Sequence, residues 1–150
     1  MVREIMHTLH NILMVGLIFS GAILASSATT ASDATVNEEL VSRHLAAFGA
    51  RDIESLLAGY SDDAFITTPH GTIRGKDEIR AFFEETFLKF RKEGVLVNLT
   101  YQSCDGDTCQ IIWDVETLDD TYDFGTDTFL IKDGKIVAET LGAKVRPKAK

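Results

Sequence analysis

The chain contains few of the residues from which metal and redox centres are built. Its 150 residues include two cysteines and four histidines, and these are not spaced like the ligands of a metal site. The sequence also has no glycine loop for a phosphate, no nucleophile elbow and no haem-attachment motif. It therefore predicts a protein without a metal or a cofactor.

Positive charge is also scarce, since the formal net charge is −8 at pH 7. An acidic domain repels phosphate backbones, so nucleic acid is not expected as a partner. The local exception is the C-terminal tail at 144–150, with Lys144, Arg146, Lys148 and Lys150. This tail is either a contact for an anionic surface or a frayed, solvated terminus.

The apolar run at 12–24 is too short for a membrane span, which needs roughly 20 apolar residues. It follows Arg3 and precedes small residues at 25–31, an order typical of a secretory signal peptide. We predict that residues 1–31 are a signal peptide cleaved near Ala28 or Ala31, and that the protein is exported, periplasmic or secreted. The alternative is an uncleaved anchor, and in both cases only this segment would meet the membrane.

The rest of the chain changes from helical to strand periodicity near Gly94. Apolar residues recur at helical spacing in three segments. These are 36–48, a short segment that follows the capping residue Asp52, and 76–92. The phenylalanines of the third segment form a stripe that we interpret as core. In the short second helix, the apolar face is Ile53, Leu56, Leu57 and Tyr60. A turn at 61–63 precedes short β-rich stretches at 64–68 and 72–74.

Strand patterns then follow at 95–103, 110–117, 122–131 and 135–141. Asp-rich and Asp-Gly turns separate them, and Asp-Gly between apolar runs is a strong hairpin signal. Helices followed by an antiparallel meander predict an α+β fold in which the helices pack on one face of a curved sheet.

The two cysteines, Cys104 and Cys109, flank one of these turns, so they are predicted to face each other across a hairpin. In an oxidising compartment they should form a disulfide. Closing so small a ring would stabilise the fold by roughly 2 kcal/mol. The alternatives are a redox pair or half of a metal site.

Four stretches resemble the nuclear transport factor 2-like superfamily, in particular its SnoaL-like and ketosteroid-isomerase-like domains. They are the opening helix and turn at 42–52, the first-strand signature at 60–64 and 69–71, the third helix at 75–83 and the last hairpin at 129–136. The resemblance covers 36–143 and leaves 144–150 as a tail. It implies a cone-shaped fold with three helices wrapped by a curved, antiparallel-rich sheet around one apolar pocket. It also implies a homodimer.

Ketosteroid isomerases use a carboxylate base after the first strand, and a tyrosine and a protonated aspartate as an oxyanion hole. The resemblance places Thr68 at the base, His44 at the tyrosine and Asp127 at the aspartate. A threonine does not abstract a proton from carbon at neutral pH. Isomerase activity by that mechanism is therefore not expected.

Several side chains remain candidates for the pocket, each with an alternative. His44 is either an acid–base group or a hydrogen-bonded core histidine. Asp127 is costly to bury alone, so it is either the partner of His44 or an outward-facing residue. His70 is either a replacement base or an exposed loop residue, and Trp113 is a pocket wall, a core residue or a dimer contact. The expected ligand contacts are Tyr60, Thr68, Trp113 and Phe129.

Two functions follow from these residues. The first is an exported domain that binds a small apolar molecule in a central pocket without catalysis. The second is a cofactor-independent isomerase, cyclase or dehydratase that uses His44 and Asp127 for acid–base chemistry. An enzyme requires titratable groups that converge on the pocket, whereas a simple binding protein tolerates a nearly dry one.

Overall fold

A computed structural model of the chain describes residues 33–90, 95 and 97–149. The predicted signal peptide at 1–31 lies outside these residues. Three helices precede most of the sheet: α1 (Asp33–Ala50), α2 (Ile53–Ala58) and α3 (Gly75–Lys89). The strands are β1 (Tyr60–Thr68), β2 (Gly71–Arg74), β3 (Asn98–Asp105), β4 (Thr108–Glu116), β5 (Asp120–Lys132) and β6 (Lys135–Pro147). The predicted α+β class is confirmed.

The six strands form one open, mixed sheet in the order β2-β1-β6-β5-β4-β3. The last four strands are the antiparallel meander that the turn signals predicted. Strand β1 joins them through parallel pairing with β6, and β2 folds back on β1 as an antiparallel edge. The first and last strands of the chain therefore lie side by side, with β2 as the edge strand next to β1.

Local chemistry explains where the helices begin and what they bury. Asp52 caps α2, because its carboxylate accepts the Ser55 backbone N–H at 3.1 Å. The apolar residues of α1 and α3 recur at helical spacing and face the sheet. They form one core with the inner residues of the strands. The fully buried residues of this core include Val41, Leu56 and Ile79 of the helices and Ile66, Ile111 and Ile136 of the strands.

Two local predictions are wrong, and one alternative for the C-terminal tail does not fit the structure. The segment Ser61–Asp63 is not a turn, because β1 starts at Tyr60 and continues to Thr68 through a register shift after Tyr60. Tyr60 therefore belongs to β1 rather than to the apolar face of α2. Of the two alternatives for the C-terminal tail, the frayed end does not fit residues 144–147. Strand β6 extends to Pro147, and Arg146 contacts Asp123 while Lys148 contacts Glu116.

The predicted disulfide between Cys104 and Cys109 is present and joins β3 to β4 next to their turn. The two residues are directly opposite each other in the ladder, which is the arrangement that the turn sequence predicted. Among the described helices, none is both long and apolar enough to cross a membrane.

Candidate functional site

A cavity of about 260 Å³ lies between helices α1 and α3 and the inner face of the sheet. Most of its lining side chains are apolar, and the phenylalanines of α3 predicted as core also form one of its walls. The opposite wall comes from β4, β5 and β6. Polar or titratable lining residues are His44, Thr68, His70, Thr86, Lys89, Trp113, Tyr122, Asp127 and Glu139.

Asp127 lies in the middle of β5 and faces this cavity, with only 8% of its surface exposed. Its Oδ2 accepts the indole N–H of Trp113 at 3.1 Å. Its Oδ1 is buried and has no hydrogen-bond partner among the described residues. Burial raises the pKa of Asp127 to about 7, and the Trp113 bond opposes part of that rise. Near neutral pH this carboxyl group therefore exists in both protonation states.

Glu139 on β6 is a second buried carboxyl group at the same end of the cavity, and it is not among the candidate residues predicted from the sequence. It is 1% exposed, and its Oε2 accepts a hydrogen bond from the hydroxyl of Tyr60. Burial raises the pKa of Glu139 well above its usual range, and the neighbouring Asp127 raises it further. A glutamate in a predicted strand is a weaker signal than the aspartate in β5, because glutamate is less strongly depleted from strands.

The two carboxyl groups cannot both be charged at low energetic cost, because they share a poorly solvated region. Glu139 is the more deeply buried of the two, and burial raises the pKa of both groups, so the uncharged form of each is favoured. Burial and the adjacent Glu139 also raise the pKa of Tyr60 well above its usual range, which keeps the phenol as a donor. This end of the cavity therefore carries little charge below pH 7 and becomes charged as Asp127 ionises.

His44 is buried on α1 and lines the cavity, and it is not hydrogen-bonded to Asp127. Its Nδ1 has no hydrogen-bond partner within the described part of the chain. The ring packs edge-on against Tyr60 and Phe129, with centroid distances of 5.7 and 5.3 Å. Burial lowers the pKa of His44 to about 4, so the imidazole is neutral at pH 7. The predicted hydrogen-bonded pair is replaced by two separate groups around one cavity.

The remaining candidate residues divide into those at the cavity surface and those behind it. Thr68, His70 and Trp113 line the cavity, with His70 exposed in the turn between β1 and β2. The Thr68 hydroxyl donates to the Gly71 carbonyl and accepts from the His70 backbone N–H, both at 3.1 Å. Tyr60 and Phe129 are fully buried and are not among the lining residues.

No group of three or more histidine, cysteine, aspartate or glutamate side chains within the described ranges is placed to hold a metal ion. The side chains around the cavity can instead donate and accept hydrogen bonds and move protons. Asp127 is the group best matched to proton exchange near pH 7.

A family model for the SnoaL-like domain matches residues 41–139. The chain belongs to this family. The matched range includes Asp127, Glu139 and Trp113, and it ends inside β6. A search of curated proteins finds no significant match.

Solved structures share the fold of this SnoaL-like domain at low sequence identity. A provisionally assigned ketosteroid isomerase from Kribbella flavida DSM 17836 has a TM-score of 0.65 and 16% identity, covering 79% of this chain and 84% of its own. A provisionally assigned polyketide cyclase from Sinorhizobium meliloti has a TM-score of 0.60 and 18% identity, covering 69% and 93%. A nuclear transport factor 2-like protein from Burkholderia pseudomallei K96243 has a TM-score of 0.63 and 19% identity, covering 73% and 91%. These similarities establish the fold, and the nuclear transport factor 2-like resemblance is confirmed.

Proposed function

We propose that this SnoaL-like domain binds a small, mostly apolar molecule that carries a carbonyl or hydroxyl oxygen, and that this oxygen hydrogen-bonds to Asp127. The observation that carries the proposal is an apolar cavity that ends at a buried carboxyl group with an unpartnered oxygen. Apolar walls with a few convergent polar groups are the usual composition of a small-molecule site. Burial of the ligand's apolar part supplies affinity, and the hydrogen bond supplies orientation.

The protonation state of Asp127 determines whether the ligand must supply a hydrogen-bond acceptor or a donor. Below pH 7 the carboxyl group is protonated and donates a hydrogen bond to a ligand oxygen. Above pH 7 it is ionised and repels a carbonyl oxygen. If only the protonated form binds, affinity falls about tenfold between pH 6 and pH 8. His44 stays neutral throughout this range and does not add a charge.

Trp113 is the single tryptophan of the chain, so its fluorescence reports on the cavity directly. We would screen ketones and phenols by the change in this fluorescence at pH 6 and pH 8. Asp127→Asn retains a donor and should bind with no pH dependence, whereas Asp127→Leu should lose binding. Asp123→Asn on the same strand is the matched control, because Asp123 is exposed and does not line the cavity. Equal affinity of the wild type and Asp127→Leu would refute the proposal.

Acid–base catalysis is the second candidate function, and one observation favours it. Asp127 has a pKa of about 7 inside an apolar cavity, so it can both accept and donate a proton at neutral pH. The substrate would be an enolisable carbonyl compound, with Asp127 moving the proton and neutral His44 donating to the oxygen. Thr68 contributes no base, so steroid isomerisation through that position is not part of the proposal.

This second function is tested by following deuterium incorporation next to the carbonyl of the ketones that bind. The wild type should exchange these hydrogens faster than buffer does, and Asp127→Asn should not. Binding without any enzyme-dependent exchange would leave the binding function standing and eliminate catalysis for those compounds.

Export and self-association complete the proposal. The disulfide between Cys104 and Cys109 supports an oxidising compartment, as expected for a chain with a cleaved signal at 1–31. The mass of the protein recovered outside the cytoplasm should correspond to cleavage near Ala28 or Ala31. The exposed apolar residues Tyr101 and Phe124 lie on the face of the sheet that points away from the cavity, and they support a homodimer, which sedimentation velocity of the mature protein would detect.

A further inference from the structure

Trp113 occupies a space that exists only because residue 125 is a glycine. Trp113 on β4 and Gly125 on β5 are directly opposite each other in the ladder. A Cβ atom on residue 125 would lie 2.3 Å from Cε2, 2.4 Å from Cζ2 and 2.5 Å from Cδ2 of the indole. These are ring atoms of a buried side chain, so any larger residue at 125 must displace the ring.

The position of the indole brings it to Asp127. Side chains two residues apart on a strand point to the same face, so Gly125 and Asp127 both face the cavity. A ring that crosses β5 at Gly125 therefore reaches the neighbouring aspartate on that face. The Nε1–Oδ2 distance of 3.1 Å shows that it does. Tyr122 packs on the same ring with a centroid distance of 6.0 Å.

We propose that Gly125 and Trp113 act together as positioning residues for Asp127. The absent side chain at Gly125 admits the indole, and the indole N–H holds Oδ2 as the acceptor. The carboxyl proton is then directed to Oδ1, because Oδ2 already accepts a hydrogen bond. This inference rests on the proposed role of Asp127 in ligand binding, but it can be tested without a ligand.

The other titratable groups near Asp127 do not replace this interaction. Helix α1 contributes His44, β1 contributes Tyr60 and β6 contributes Glu139, and none of them is hydrogen-bonded to Asp127 in the structure. Further along the cavity lie Lys89 of α3, Tyr122 of β5 and His70 of the β1–β2 turn. Loss of the indole N–H would therefore leave the carboxyl without its donor among the described residues.

The test is the titration of the Asp127 carboxyl carbon by NMR in ligand-free protein, assigned by its disappearance in Asp127→Asn. Gly125→Ala should raise the pKa of Asp127 by about half to one pH unit, because the bond to Trp113 stabilises the ionised form. Gly142→Ala is the matched control, since a Cβ at Gly142 on neighbouring β6 meets nothing within 4 Å. It should leave the titration unchanged.

Trp113→Phe provides a second route to the same result if Gly125→Ala does not fold. It keeps an aromatic ring over Gly125 but removes the N–H, and it should raise the pKa of Asp127 by a similar amount. An unchanged titration in Trp113→Phe, or an equal shift in Gly142→Ala, would overturn the proposal. Ligand binding by the wild type, compared with Asp127→Leu, tests the proposed function separately.

Discussion

Two aspartates on β5, four residues apart, have pKa values that are shifted in opposite directions. Asp123 is exposed, and its carboxylate accepts hydrogen bonds from Arg146, which lower its pKa. Asp127 is buried beside Trp113, and its pKa is raised. The partner of the exposed residue is a cation and that of the buried residue is a neutral ring. The environment of each carboxyl, rather than its residue type, determines whether it is charged at pH 7.

A bulge in β5 is the reason that the two aspartates face different environments. Residues four apart on a regular strand lie on the same face. The pairing with β6 passes from Tyr122 opposite Val145 to Phe124 opposite Lys144, so Asp123 is an extra residue. An extra residue reverses the alternation, which leaves Asp123 in solvent and Asp127 in the cavity.

The largest effect is expected for Asp127→Asn, in the pH dependence of its free energy of unfolding. The pKa of Asp127 is about 7 in the folded protein, above the ordinary 3.8, so the unfolded chain releases its proton first as pH rises. Asp127 therefore lowers wild-type stability progressively from about pH 4 to pH 7. Asp127→Asn does not lose this stability. Between pH 4 and pH 8, the free energy of unfolding of Asp127→Asn should therefore rise by up to about 4 kcal/mol relative to that of the wild type. Urea unfolding at several pH values measures it, and parallel curves would contradict the assignment.

His44→Gln should show a smaller effect of opposite sign. The pKa of His44 is about 4 in the folded protein and 6.5 ordinarily, so the unfolded chain binds a proton first as pH falls. The wild type therefore loses up to about 3 kcal/mol from this group between pH 6.5 and pH 4, and His44→Gln does not. The same unfolding series measures both variants.

Removing the disulfide should weaken the fold without changing the difference between the aspartates. Cys104→Ser with Cys109→Ser should lower the free energy of unfolding by roughly 2 kcal/mol, because the unfolded chain regains freedom. Its pH profile should keep the wild-type shape, since the crosslink joins β3 to β4 and does not touch Asp127. A changed profile would mean that the hairpin controls the cavity.

The smallest effect is expected for Asp123→Asn, which removes the exposed pair with Arg146. Solvent-exposed ion pairs contribute little because water screens both charges. We expect only a small loss of stability above the ordinary pKa of Asp123, because Arg146 lowers that pKa in the folded protein but water screens the exposed pair. A clear loss in thermal unfolding would show that this pair holds the end of β6 in place.

The sequence was most informative where a local pattern sufficed. Asp52 as a cap, the turn between Cys104 and Cys109 and the alternation in β4 each depend on nearby residues, and each is present in the structure. Asp127 also stood out, because an aspartate in the middle of a strand requires an explanation. The prediction of His44 as its partner was wrong. The observed partner is Trp113, whose indole reaches Asp127 because residue 125 has no side chain.

The parts that could not be predicted depend on pairing between distant strands. Glu139 is buried because β1 lies beside β6 and brings Tyr60 to it, and no local pattern indicates that parallel pairing. The segment at 61–63 resembles a turn because it is short and polar, yet it continues β1. The tail at 144–147 becomes a strand because β5 is long enough to pair with it.

The parallel pairing of β1 with β6 also has a consequence for how the protein folds. Tyr60 and Glu139 are 79 residues apart in the sequence, so their hydrogen bond closes a large loop. Contacts of this separation form slowly because the chain loses much entropy before they are made. We expect the hairpins of β3 to β6 to form first and the polar end of the cavity to form last. A chain emerging from the ribosome would acquire its binding site only after β6 has been synthesised.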